Sequence, residues 1–143
     1  MKIILALSLA AFVASSAMAQ QLKKLSVEDF VGVKGHYLDG LPCGASTPNP
    51  EEDLEKSIEH LASVDRAKWL GYIQRSKNVR EGYTKWWAQV SIALRDGRRI
   101  IIGGNGYFCL RTKDSNVFYY YQFDAKDFAQ IKSDWNAIKD KEK

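Results

Sequence analysis

From Thr84 onward the apolar residues recur at every second position, and that period decides what the chain can become. Trp86, Ala88, Val90, Ile92 and Leu94 alternate with Trp87, Gln89, Ser91, Ala93 and Arg95. Successive side chains of a strand point to opposite faces, so this spacing predicts a β-strand over 84–95. Asp96-Gly97 follows at once and is a strong signal for a two-residue hairpin turn. Strands at 98–103, 107–111 and 117–123 come next, joined by the turns "GGNG" and "KDSN". The centre of the chain therefore reads as a four-stranded antiparallel meander.

The hairpin makes a statement about register. A two-residue turn sets Arg95 opposite Arg98, Leu94 opposite Arg99, Ala93 opposite Ile100 and Ile92 opposite Ile101. Directly opposed residues share a face, so Trp86, Val90, Ile92, Leu94 and Ile101 line one side. Trp87, Ala93, Ile100 and Ile102 line the other. The last strand repeats the pattern. In "SNVFYYYQFD" Val117, Tyr119, Tyr121 and Phe123 alternate with Phe118 and Tyr120. Both faces then carry large apolar groups, and something must cover the second, because exposed aromatic surface invites association.

Helix signals flank the meander. Ser26 can cap a short helix over 25–33, with Glu28 and Asp29 in its first turn. "NPEEDLEKSIEHLASV" has Asn49 as cap, Pro50 at the first helical position and Glu51, Glu52 and Asp53 opposing the helix dipole. Leu54, Ile58 and Leu61 then recur at helical spacing, predicting a helix over 50–62. Residues 64–80 fit a second helix through Trp69, Leu70 and Ile73, with Gly71 against it. Asp124 can cap a closing helix over 125–139 whose apolar face is Phe128, Ile131, Trp135 and Ile138. The fold class is α+β: the meander packed with two or three helices. Two arrangements stay open. The helices at 50–62 and 125–139 can lie on opposite faces of the sheet. They can also share one face, leaving Trp87, Phe118 and Tyr120 in an exposed docking surface with Arg95 and Arg98 at its basic end.

The first residues bear on where the protein works. Lys2, an apolar run from Ile3 to Val13 and the small residues Ala17-Met18-Ala19 make a secretory signal peptide over 1–19. The run is too short for a membrane span, so no membrane insertion is expected. Its compact form suggests bacterial export to the periplasm, with secretion beyond the cell as the alternative. Residues 20–143 then form a single domain, large enough to bury a core. Removal of Lys2 and of no acidic residue lowers the formal charge from +4 to +3. Both signs are interspersed, and a nucleic-acid reader would carry a denser basic stripe. In an oxidising compartment Cys43 and Cys109 are expected to pair as one disulfide, tying the loop "LDGLPCGAS" to a late strand.

No catalytic constellation is legible. His36, in "VKGHYLDG", and His60, beside Glu59, are the two histidines. The first reads as a structural loop residue and the second as a solvated helix residue. No Gly-x-Ser-x-Gly, HExxH or EF-hand loop occurs, and "GGNG" joins two strands without a following lysine, unlike a phosphate loop. Neither a cofactor nor a metal is expected, since a disulfide leaves few soft ligands. The leading expectation is an exported, non-catalytic binding protein whose partner is another protein: an inhibitor, or an immunity protein directed at a secreted effector or an envelope enzyme. An inhibitor of a basic lysozyme would present an acidic face, so this mildly basic chain favours immunity. Two alternatives are a small-molecule or lipid binder with a pocket lined by Tyr119, Tyr121 and Trp86, and a cell-wall hydrolase with a base near His36. Oligomeric state stays open, a homodimer included.

Overall fold

The computed structural model describes residues 21–38, 54–79, 88–112 and 118–142, with backbone alone at Ala88 and Phe118. Among these, six strands form one antiparallel sheet: β1 (Phe30–Gly35), β2 (Lys77–Val79), β3 (Ala88–Leu94), β4 (Arg99–Gly103), β5 (Tyr107–Arg111) and β6 (Phe118–Gln122). Their spatial order is β1-β3-β4-β5-β6-β2. Two α-helices accompany them, α1 (Arg66–Gln74) and α2 (Ala125–Asp140). The fold is α+β. The meander is the centre of the sheet, and β1 and β2 extend it at either edge.

Both edge strands escape the period-2 pattern for visible reasons. A bulge between Phe30 and Gly32 lets Phe30 and Val33 enter the same core, which breaks alternation in β1. Of the short helix expected over 25–33 there remains a 3-10 turn, Val27–Asp29, held by Ser26 N–H donating to the Asp29 carboxylate at 2.8 Å. β2 is three residues, Lys77-Asn78-Val79, paired with β6 through Asn78 and Tyr121.

The register differs from expectation by one residue. Ile92 lies opposite Ile100, Val90 opposite Ile102 and Ala93 opposite Arg99. The cause is the turn. Leu94 N–H donates to the Arg98 carbonyl at 2.9 Å and Gly97 N–H to the Leu94 carbonyl at 3.0 Å, so Arg95-Asp96-Gly97 is a three-residue loop. Gly97 takes φ +92°, the left-handed position that closes such loops. A one-residue slip moves a strand's side chains to the opposite face. Ile100 and Ile102 therefore join Val90, Ile92 and Leu94, and Ile101 leaves them.

That single face now holds the core. Val90, Ile92, Ile100, Ile102, Phe108 and Leu110 are each 0% exposed. Burial of side chains this size is worth roughly 1.5–3 kcal/mol each. Both helices lie on this face. Asp65 caps α1 by accepting from Lys68 N–H at 3.1 Å, and Asp124 caps α2 through Lys126 N–H at 2.9 Å. Trp69 of α1 meets Trp135 of α2 edge to face, ring centroids 6.0 Å apart, and both are buried. The two arrangements left open by the sequence concerned 50–62 and 125–139: the described part of the first packs Leu54 on Ile101 and Cys109, the face opposite α2, while α1 comes from the segment 64–80.

The helix expected over 50–62 is, among the described residues, α-helical only at 54–55, with a separate 3-10 turn at Leu61–Ser63. Ser57 stops it: its N–H and its hydroxyl both donate to the Leu54 carbonyl, at 3.1 and 2.6 Å. The chain then runs to the outer edge of β1, where the Glu59 carboxylate accepts from Val33 N–H and His60 N–H donates to the Val33 carbonyl. Ile58, read as a core position, is 60% exposed.

The expected Cys43–Cys109 disulfide falls on a residue, Cys43, outside those described. Cys109 sits mid-strand between Ile101 and Tyr120, 2% exposed, in a cluster with Leu54 and Ile101. Its thiol serves there as a small apolar group. Cys43 lies outside the described residues, as do Trp86 and Trp87.

Two glycines test the backbone. A Cβ on Gly35 would fall 2.2 Å from the Gln89 carbonyl oxygen, whereas one on Gly71 would meet only Arg75 Nη1, at 3.4 Å. Gly35→Ala is expected to cost about 3 kcal/mol or more, and Gly71→Ala to stabilise by about 0.5–1 kcal/mol, in urea unfolding.

Candidate functional site

With the helices on one side, the opposite face of the sheet is laid out by register alone. One row crosses every strand: Lys34, Ser91, Ile101, Cys109, Tyr120 and Val79. The next row is Gly32, Ala93, Arg99, Arg111 and the backbone position of Phe118. The face thus has a small apolar centre, Ile101 and Cys109, closed by Leu54 from above, with Tyr120 packed against it. Its charged part lies towards the β3–β4 hairpin.

There the segment after Leu54 supplies the counter-charge. Glu55 forms an ion pair with Arg99, both side chains more than a third exposed, and its carbonyl accepts from Lys34 Nζ at 3.1 Å. Screened pairs of this kind contribute little stability. Small residues, Gly32, Ser91 and Ala93, floor a groove of about 150 Å³ walled by Lys34, Glu55 and Glu59. On the other side of Arg99 a polar cleft of about 300 Å³ is bounded by Gly97, Arg99, Arg111 and Thr112. Arg99 and Arg111 are directly opposed on neighbouring strands.

Tyr120 is half-buried, and burial, followed by the neighbouring Cys109 thiol, holds its phenol above the ordinary value. Tyr121 points the other way, into the core, stacked on Phe108 at 5.0 Å. Burial pushes its phenol up to about 12. Among the described residues no group of three or more His, Cys, Asp and Glu side chains gathers to hold a metal ion. None of their helices is long and apolar enough to cross a membrane.

The residues singled out from the sequence are only partly brought together. Tyr120 stands beside Cys109 on the face opposite α1 and α2, and Phe118 occupies the adjacent row by register. Arg95 is engaged elsewhere, its guanidinium donating to the Glu28 carbonyl at 2.7 Å. Arg98 precedes Arg99 and so turns to the helix-covered side, bonded to Asp96 at 2.7 Å and to Gln21. Although burial alone would raise the Asp96 carboxyl, donation from the Arg98 backbone and guanidinium lowers it. Sequence reasoning missed Arg99 and Arg111. The signal was present: only a three-residue loop aligns Ile100 and Ile102 with Val90 and Ile92.

The histidines have other work. The His36 main chain donates to Gln89 and accepts from the Trp135 indole N–H at 2.6 Å. His60, expected as a solvated helix residue, has a side chain only 10% exposed, edge-on to Trp135 at 5.5 Å and hydrogen-bonded to Glu142. Lys139 first, and His60 after it, hold the Glu142 carboxyl below its usual range.

Compared with protein families, curated proteins and solved structures, the chain matches none.

The raised phenols make an alkaline prediction. A group whose folded value is raised stabilises fully below its unfolded value, about 10 for tyrosine, and that contribution disappears as pH rises through the folded value. Phenolate absorbance should therefore show Tyr121 ionising near pH 12. Tyr121→Phe should remove this late step and shift the alkaline unfolding midpoint upward.

Proposed function

We propose that the protein is a small exported binding protein, without catalysis of its own, that neutralises a toxin or enzyme by protein–protein contact. The site of contact is the open face of the sheet around Tyr120, Arg99 and Arg111. One observation carries the reading: α1 and α2 share a face, and among the described residues only the segment beginning at Leu54 lies over the other. Tyrosine and arginine are the residues that dominate protein interfaces, because each combines broad contact area with directed hydrogen bonds. The leader over 1–19, outside the described residues, supports export to the periplasm. The formal charge of +3 that is left when Lys2 goes with the leader, against +4 for the whole chain, favours a partner that is acidic or neutral at its contact surface.

The pocket reading has less support. Tyr119 and Tyr121, its intended lining, belong to the core covered by α1 and α2, and Tyr121 is 1% exposed.

The test is capture from envelope and competitor-cell extracts, followed by calorimetry with the purified partner. Tyr120→Ala and Arg99→Ala are expected to retain the wild-type circular dichroism spectrum. Tyr120→Ala should weaken the complex by about 2 kcal/mol, a hot-spot loss. Folded variants that bind the captured partner with wild-type affinity would remove this face from the interaction.

A further inference from the structure

Ser91 has a hydroxyl that packing does not explain. The residue is 6% exposed, on the face opposite α1 and α2, and among the described residues no group hydrogen-bonds its side chain. Buried polar groups are otherwise paired, so this hydroxyl points to an occupant from outside the chain. Ser91 lines the groove of about 150 Å³ that runs beside the segment after Leu54.

Two charged groups frame the same groove, and among the described residues each bonds main chain alone. Lys34 Nζ donates to the Glu55 carbonyl at 3.1 Å, and Glu59 Oε1 accepts from the N–H groups of Val33 and Leu61 at 2.7 and 2.8 Å. The second oxygen, Glu59 Oε2, lies against Gly32, 2.9 Å from where a Cβ there would stand. Register puts Lys34 beside Ser91 and Gly32 beside Ala93. Gly32 and Lys34 are two residues apart on β1, roughly 7 Å along the strand. An anion and a cation therefore flank the hydroxyl over a distance that a handful of atoms spans.

A lone cation in the groove would be repelled by Lys34, and a lone anion by Glu59. A zwitterion satisfies both. The groove has about half the volume of the smallest drug-sized pockets, roughly 300 Å³, and admits only a few non-hydrogen atoms. We infer that it binds a small free amino acid. The ligand's ammonium donates to Glu59 Oε2 and to the Ser91 hydroxyl oxygen, and its carboxylate accepts from Lys34 Nζ. The site lies on β1 and β3 and uses none of Tyr120, Arg99 and Arg111, so it stands apart from the proposed protein contact.

The experiment is a titration of the isotope-labelled chain at constant ionic strength and pH 7, following backbone amide signals by NMR. The probes are glycine and β-alanine, which differ in the separation of their charges. Methylammonium and acetate are the single-charge comparisons, and N-acetylglycine represents a chain terminus. Saturable shifts of Gly32, Ser91 and Ala93 with either amino acid, at least tenfold tighter than with the three comparisons, support the site. Ser91→Ala removes no hydrogen bond of the described chain, so it should keep or raise the urea midpoint while weakening binding by about fivefold. Lys34→Gln should weaken it by about tenfold, the loss of a charged hydrogen bond. Gly32→Ala, whose Cβ would press on Glu59 Oε2, should abolish it. The wild-type titration needs no substitution, so a variant that fails to fold leaves the test intact. Absence of saturable shifts with both amino acids, as ordered water alone at Ser91 would give, overturns the assignment. Binding of acetate, methylammonium or N-acetylglycine as tight as that of the amino acids does so too, as does affinity unchanged in Ser91→Ala and Lys34→Gln. Loss of the protein-contact reading in the capture experiment, with the glycine titration intact, would leave this site standing.

Discussion

A left-handed glycine sets the architecture of this sheet. With Gly97 at φ +92° the β3–β4 loop holds three residues, and Ile92 faces Ile100. A two-residue turn would have set the same strands one place apart and sent Ile100 and Ile102 to the face that α1 and α2 leave open. Each is 0% exposed, and each would forfeit roughly 1.5–3 kcal/mol of burial. The consequence runs across the sheet, because β5 and β6 continue the register: Phe108 opposite Ile102, Tyr121 opposite Phe108. One loop geometry thereby sorts large apolar groups to one side and Arg99, Arg111 and Tyr120 to the other.

The chain between Leu54 and Ser63 carries the second constraint, the management of an edge. An edge strand exposes backbone donors and acceptors that invite pairing with another chain. Glu59 and His60 occupy the backbone N–H and carbonyl of Val33 on β1, whose side chain is in the core. His60 then reaches Trp135 and Glu142, so the edge cap is tied to the end of α2. The same segment places Leu54 over Cys109 and Glu55 beside Arg99. A continued helix could not meet all these partners, since their spacing along the sheet is not that of a helical face. At the other edge β2 is only three residues long, which limits pairing by other means.

What the sequence made legible follows from how local each signal was. The meander, the Asp124 cap and the Ile131–Trp135 face of α2 rest on neighbours within a few residues, and all are present. β1 was hidden by its bulge, and the helix over 50–62 was overridden by long-range bonds to Val33. The disulfide was inferred from compartment and count, and it falls on Cys43, outside the described residues. For the open face, Tyr120 was found because strand alternation alone places it. Arg99 was missed because its face depends on whether the hairpin holds two residues or three. Asp96-Gly97 fits either turn; the aliphatic matching of Val90 with Ile102 decides between them.

Most of the local choices in this chain agree with the fold: caps at both helices, a glycine where φ is positive, aliphatics facing the helices. The opposed arginines are the exception. Threonine or a Lys–Glu pair at the same two positions would satisfy the sheet at lower electrostatic cost. Glu55 pairs with Arg99, and it comes from a segment whose other contacts serve Cys109 and the β1 edge. Where local rules are kept elsewhere and broken at one place, the break marks a site under a different demand. Here it coincides with the face that the helices leave open and with the half-buried Tyr120. The helix-covered side accounts for stability. The other side carries Tyr120, Arg99 and Arg111 around the smaller buried cluster of Leu54, Ile101 and Cys109.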